Sequence, residues 1–246
     1  MKRALGALVL LATAVGGASA QPTAGSSDLT VFAASSLTNA FPRIDRSARF
    51  SFAGSNALAA QIKLGAPADV FASANMALPT SLSRDKLCAK PAAFARNAIV
   101  LIVPRSNPRH IRTVYDLRKR GVKLVIAAPG VPVGAYTIHV LKAIKLTGVL
   151  SHVVSRENDV REVLTKVALN EADAGFVYST DARTVRGKVR ALRIPPRAQP
   201  RIRYGICVVA ASSHKPAAQA FVKRVLSRAG QRILVSYGFL PRVKPR

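Results

Sequence analysis

The chain has 246 residues, 49% of them apolar, with 38 Lys and Arg against 11 Asp and Glu, a formal net charge of +27. That apolar content supports a real core and excludes wholesale disorder, and the length suits one large domain or two small lobes. The basic residues are scattered, Trp is absent and no aromatic–basic stripe occurs, so nucleic acid is not expected as a partner; the charge is left to solubility, to guidance of an anionic ligand, or to attraction to an anionic surface.

The N-terminus reads as a targeting segment. Lys2 and Arg3 precede an apolar run from Leu5 to Val15, and Ala18-Ser19-Ala20 gives the small-x-small cleavage pattern. Residues 1–20 are therefore expected to be a secretory signal peptide and 21–28 a loose polar lead-in. No cysteine lies near the cut, so no lipid anchor is expected, and no later segment reaches the roughly 18 apolar residues of a membrane helix. The expected location is periplasmic or extracellular.

Strands and helices then alternate. Leu29–Ala34 reads as a strand, Leu37 to about Ile44 as a short helix and Phe50–Ala53 as a second strand. Asn56–Leu64 reads as a helix with Leu58, Ala59 and Ile62 on one face, stopped by Gly65 and Pro67. Further strands are expected at Asp69–Ala72, Ile99–Val103, Lys123–Ala128, Gly175–Tyr178 and Ile206–Ala210, with helices at Ala135–Leu146, Val160–Asn170 and Pro216–Ser227. The Pro- and Arg-rich stretch Arg186–Arg203 is expected to be the least ordered. This alternation predicts an α/β fold with mixed, mostly parallel sheets.

Two cysteines occur, Cys88 and Cys207. Export makes a disulfide chemically possible, yet sequence does not say whether they meet; Cys207 sits in an apolar run where a buried free thiol is the ordinary reading. The four histidines, His110, His139, His152 and His214, show no metal-ligand spacing with cysteines or carboxylates, so no site for a bare metal cation is expected.

In open α/β sheets ligands bind beyond the carboxyl ends of strands, where helix N-termini converge. Five junctions qualify: Ala34-Ser35-Ser36, Ala53-Gly54-Ser55-Asn56, Pro129 to Gly134, Glu157 to Glu162, and Phe176 to Asp181. Taken singly, Ser36 and Ser55 are more ordinary as helix caps, Tyr178 as a sheet residue, and Asp159 with Glu162 as a capping box. Taken together they describe a cleft lined by unpaired helix N–H groups and hydroxyls, which suits a small anion without any Lys or Arg.

The motifs VFAASSLTNAF, SFAGSNALAAQI, GAPADVFASA, VPVGAY, NDVREVL, GFVYSTDA and the late SYGF resemble, in order and spacing from about Leu29 to Phe239, the periplasmic molybdate-binding proteins of ABC transporters. The resemblance implies a two-lobed Venus-flytrap fold closing on one tetrahedral oxyanion. Carried over motif by motif, it implies contacts from Ser36 and Ser55 through hydroxyl and backbone N–H, from the backbone N–H of Val133 and of Val160, and from the Tyr178 hydroxyl. It further implies molybdate or tungstate as ligand, no cofactor, a membrane permease as partner, and a monomer. Molybdenum would be held only as its oxyanion. The shorter Phe41–Phe50 stretch, the valine at 133 and the basic charge depart from the family pattern; the first suggests a clipped first helix and second strand.

Lobe one is expected from residues 29–101 plus 206–246 and lobe two from 102–205, with hinge crossings near Ile99–Pro104 and Arg203–Val208. Three rivals stand beside this reading, the remotest being a surface adhesin or a nucleic-acid-binding protein that relies on charge alone. One is a binding protein of the same fold for sulfate, another oxyanion or an organic acid. The second is a serine hydrolase using Ser36 or Ser55, although SFAGSNA has Ala53 and Ala57 where a nucleophile elbow around Ser55 needs glycines. No catalytic residue is assigned.

Overall fold

Short apolar runs become strands and the amphipathic runs between them pack on the sheets as helices. The computed structural model describes residues 29–242; the expected signal peptide, the 21–28 lead-in and residues 243–246 lie outside the described residues. The strands are β1 (Thr30–Ala34), β2 (Arg49–Ala53), β3 (Val70–Ser73), β4 (Ala92–Asn97), β5 (Ile99–Pro104), β6 (Leu124–Ala127), β7 (Val153–Glu157), β8 (Ala174–Tyr178), β9 (Val189–Arg193) and β10 (Ile202–Val208). The helices are α1 (Phe41–Ile44), α2 (Ser55–Lys63), α3 (Ala77–Arg84), α4 (Pro132–Ala143), α5 (Val160–Ala168), α6 (Ser179–Thr184), α7 (Lys215–Leu226) and α8 (Arg228–Ser236).

The strands form two five-stranded sheets, in the orders β2-β1-β3-β10-β4 and β7-β6-β8-β5-β9. Each is mixed. β1 pairs parallel with β2 and β3, and β6 with β7 and β8. β10 pairs antiparallel with β3 and β4, and β5 with β8 and β9. The antiparallel share is larger than helix–strand alternation suggests, because the strands that carry the chain between sheets run against the others. The central strands are buried on both faces, which is why they read as continuous apolar runs.

β4, β7 and β9 were not anticipated. β9 lies inside the stretch expected to be least ordered; it is a sheet-edge strand whose arginines face outward, a common way of blunting an edge. The expected helix from Leu37 to Ile44 is two pieces: a 3-10 turn at Ser35–Leu37 and then α1, with Pro42 in its first turn. Proline cannot continue a helix but is at home starting one. The second strand is not clipped: β2 pairs along the whole of β1, from Thr30↔Arg49 to Ala34↔Ala53. Helix α4 begins at Pro132, earlier than Ala135, for the same first-turn reason.

The chain leaves the first sheet at Asn97, enters the second at Ile99, and returns at Ile202. The boundaries expected at 101/102 and 205/206 thus fall inside β5 and β10, and the crossings precede the segments expected to hinge. Gln199 ties the two crossings together: its amide donates to the Ile99 carbonyl at 2.6 Å and accepts from the Ile99 N–H at 3.0 Å.

One face of the first sheet packs an aromatic cluster, with Phe41 5.6 Å from Phe221 and 5.7 Å from Phe94 between ring centroids. The other face is covered by α2 and α3 through Leu58, Ile62 and Leu82 against Phe32 and Phe71. Cys88 and Cys207 lie in this second cluster and form a disulfide across a sequence separation of 119, with Cα atoms 6.0 Å apart. The reading of Cys207 as a buried free thiol is therefore corrected. The pairing was not visible in sequence because β10 returns to β3 from the far end of the chain.

Candidate functional site

Ser36, Ser55, Val133, Val160 and Tyr178 all line one cavity between the sheets, together with Ala34, Ser35, Gly54, Ala74 and Val131 among others. Each stands at the carboxyl end of a parallel strand: Ser36 after β1, Ser55 after β2, Val133 after β6, Val160 after β7, and Tyr178 closing β8. The strand order sets β1 beside β2, and β6 between β7 and β8, so each sheet delivers adjacent strand ends to one place. The cavity is small, about 10 Å³ measured at the centre of a water-sized sphere. That is about the room of one water, far too little for a sugar or a peptide.

The hydrogen bonds around the cavity determine which protons are free. Asn97 accepts the Ala98 N–H at its Oδ1, which orients its amide so that Nδ2 donates to the Tyr204 hydroxyl at 3.3 Å and to Thr180 Oγ1 at 2.9 Å. The Tyr204 hydroxyl, having accepted from Asn97, lies 2.9 Å from Ser36 Oγ, and either hydroxyl can donate across that bond. With Tyr204 donating, Ser36 is an acceptor from the protein and its hydroxyl proton remains for a guest. Ser55 is arranged the same way by different means: its Oγ accepts the Ala74 N–H at 3.1 Å. Both serines are buried, 4% and 1% exposed, so these protons have no bulk water to bond.

Tyr178 completes the set. Its hydroxyl is buried without a hydrogen-bond partner. Burial first, and then the neighbouring Tyr204, Tyr136 and Asp181, push its pKa well above the ordinary phenol value; it stays protonated at neutral pH. Buried polar groups are rarely left unpaired, so this phenol at the cavity is a group that a hydrogen-bond acceptor would satisfy.

The backbone supplies the rest. Ser55 and Val160 are the first residues of α2 and α5, and Val133 is in the first turn of α4. First-turn N–H groups have no intrahelical acceptor and carry the positive end of the helix dipole. Asp159 also borders the cavity, but its Oδ1 is taken by the Arg161 and Glu162 N–H groups as the N-cap of α5. Glu162 reaches back to the Asn158 N–H at 2.8 Å, one residue short of the expected capping box. No Lys or Arg among the described residues lines the cavity. Among the described residues, no group of His, Cys, Asp and Glu could hold a metal ion, and no helix is long and apolar enough to cross a membrane.

Sequence reading missed the support behind the serines. Tyr204 and Asn97 lie 168 and 107 residues from their respective partners Ser36 and Tyr204, and no local signal connects them. It also missed Gly54. A Cβ there would stand 2.3 Å from the Asn158 carbonyl oxygen, so only glycine lets the β2–α2 junction approach the β7–α5 junction this closely.

Two sheets of matching strand order, two adjoining crossings and a small donor-lined cavity between them define a two-lobed solute-binding protein. The chain belongs to the bacterial extracellular solute-binding protein family, whose model matches residues 29–240. It is 40% identical over 230 residues to the molybdate-binding protein ModA of Mycobacterium tuberculosis, covering 89% of this chain and 87% of that protein. Among solved structures, it is similar to the substrate binding domain of a putative molybdenum ABC transporter from Clostridium difficile, with 28% identity, a TM-score of 0.63, and 88% and 99% of the two chains covered. The Azotobacter vinelandii periplasmic molybdate-binding protein shares the fold, with a TM-score of 0.77 at 20% identity over 89% of this chain and 100% of that one.

Proposed function

We propose that this chain is the solute-binding component of a molybdate ABC transporter. Exported through residues 1–20, it captures the oxyanion between its lobes and presents the closed form to a membrane permease. The observation that carries the reading is the set of three buried hydroxyls, of Ser36, Ser55 and Tyr178, that meet at one small cavity. With the first-turn N–H groups of Ser55, Val133 and Val160 and the Ser36 N–H, these donors surround one tetrahedral dianion. Charge complementarity comes from oriented dipoles and needs no formal cation.

A site of donors alone selects a fully deprotonated guest. Hydrogen phosphate would bury an O–H without an acceptor, at a cost of about 1–3 kcal/mol. Tungstate, close in size and charge to molybdate, binds as well. Sulfate carries the same charge and is discriminated by size. A hydrolase would need a base beside Ser36 or Ser55, but the neighbours of their oxygens are Tyr204 and the Ala74 N–H, and no histidine borders the cavity. The chain acts as a monomer without a cofactor.

The test is thermal melting and calorimetry with molybdate, tungstate, sulfate and phosphate. At about 100 times its dissociation constant, a guest adds about 2.7 kcal/mol of stability. Molybdate and tungstate should raise the melting temperature and sulfate should not; a larger shift with sulfate would overturn the ligand assignment.

A further inference from the structure

We propose that Arg161 is a positioning residue that latches the two lobes, through its hydrogen bond to Asn39, and so sets how long the guest is held. This deepens the binding reading above and rests on it. Arg161 follows Val160 in α5 and does not line the cavity. Its Nη2 donates to Asn39 Oδ1 at 2.7 Å. Asn39 lies in the turn between the Ser35–Leu37 3-10 segment and α1, so this bond joins the lobes, away from the crossings.

The second lobe holds the guanidinium ready for that contact. Nε lies 3.0 Å from Asp181 Oδ1, and Nη1 is 3.4 Å from Thr184 Oγ1. Asp181 is fully buried, and the charged partner its carboxylate faces is the Arg161 guanidinium. It does not border the cavity, and it is not the N-cap of its helix. Its contact is Arg161, and a planar guanidinium fixed at one edge can aim its other edge across the cleft with little further loss of freedom. Lysine, a single point charge, could not serve Asp181 and Asn39 together. The adjacent Val160 supplies a cavity N–H, so closing the latch also sets a guest donor in place.

The test works with and without a guest. Because Cys88 and Cys207 are paired, spin labels can be directed to Leu64→Cys in the first lobe and Val154→Cys in the second, at positions 89% and 58% exposed. Pulsed electron resonance then reads the closed fraction. In the guest-free chain, Asn39→Ala should lower the closed-to-open ratio about fivefold, the worth of one hydrogen bond. Asn39→Asp, which keeps an acceptor for Arg161, should restore or exceed the original ratio. With molybdate bound, Asn39→Ala should release it about fivefold faster, while Arg161→Lys should behave like Asn39→Ala. Unchanged closed fractions in Asn39→Ala, or an equal loss in Asn39→Asp, would overturn the latch. Failure of the unmodified chain to bind molybdate would instead overturn the binding reading, and the guest-free fractions would still decide the latch.

Discussion

A buried hydroxyl that accepts a hydrogen bond from its own protein has one proton left to give; Ser55 is in that position, and so is Ser36 when Tyr204 donates across their shared bond. Replacing either with alanine removes one charge-assisted bond to the dianion. The expected loss is about 1.5–3 kcal/mol, roughly ten- to a hundredfold in affinity by calorimetry, with the fold retained. Tyr178 should behave differently. Its orphaned hydroxyl is a burden until a guest arrives, so Tyr178→Phe should raise the melting temperature of the empty protein while weakening molybdate binding. A mutant that is both less stable and unaffected in binding would contradict this account. The serines and the tyrosine were legible in the sequence because each ends a recognisable strand. Asn97, Tyr204 and Asn39 were not, since their roles depend on partners more than a hundred residues away.

At the scale of elements, the apolar runs of β1, β6 and β8 declared themselves because both of their faces are buried. The edge strands β7 and β9 carry charged residues and gave no such signal. The disulfide belongs to this scale too. It ties β10 to the segment before β4 across 119 residues, restricting the unfolded chain, and removing such a bridge costs about 2–5 kcal/mol. A Cys88→Ala/Cys207→Ala variant should melt at a lower temperature yet bind molybdate unchanged, since neither residue borders the cavity. Asp69, at the start of β3, receives the Ser212 hydroxyl, the Thr30 N–H and the His214 ring. Burial pushes its carboxyl up, but these three partners together hold it below its ordinary 3.8. A depressed carboxylate stabilises the fold above its unfolded value and stops doing so as pH falls through its folded one. Unfolding measured below about pH 3.8 should therefore depend less steeply on pH in Asp69→Asn than in the parent.

For the whole molecule, the net charge of +27 concentrates anions of every kind near the surface, so recognition has to come from the cleft. The contact between Gly54 and the Asn158 carbonyl is a meeting of backbones, with no side chain to bend aside. It works as the jaw of a calliper: the lobes halt at a fixed gap, and an anion is measured against that gap as well as bound in it. A guest too small for the gap leaves some donors out of reach, and one too large keeps the jaw from seating. Inserting one methyl group, Gly54→Ala, should hold the jaw ajar; molybdate affinity should fall more than stability does, and the penalty should shrink as the tetrahedral anions in a calorimetric series grow.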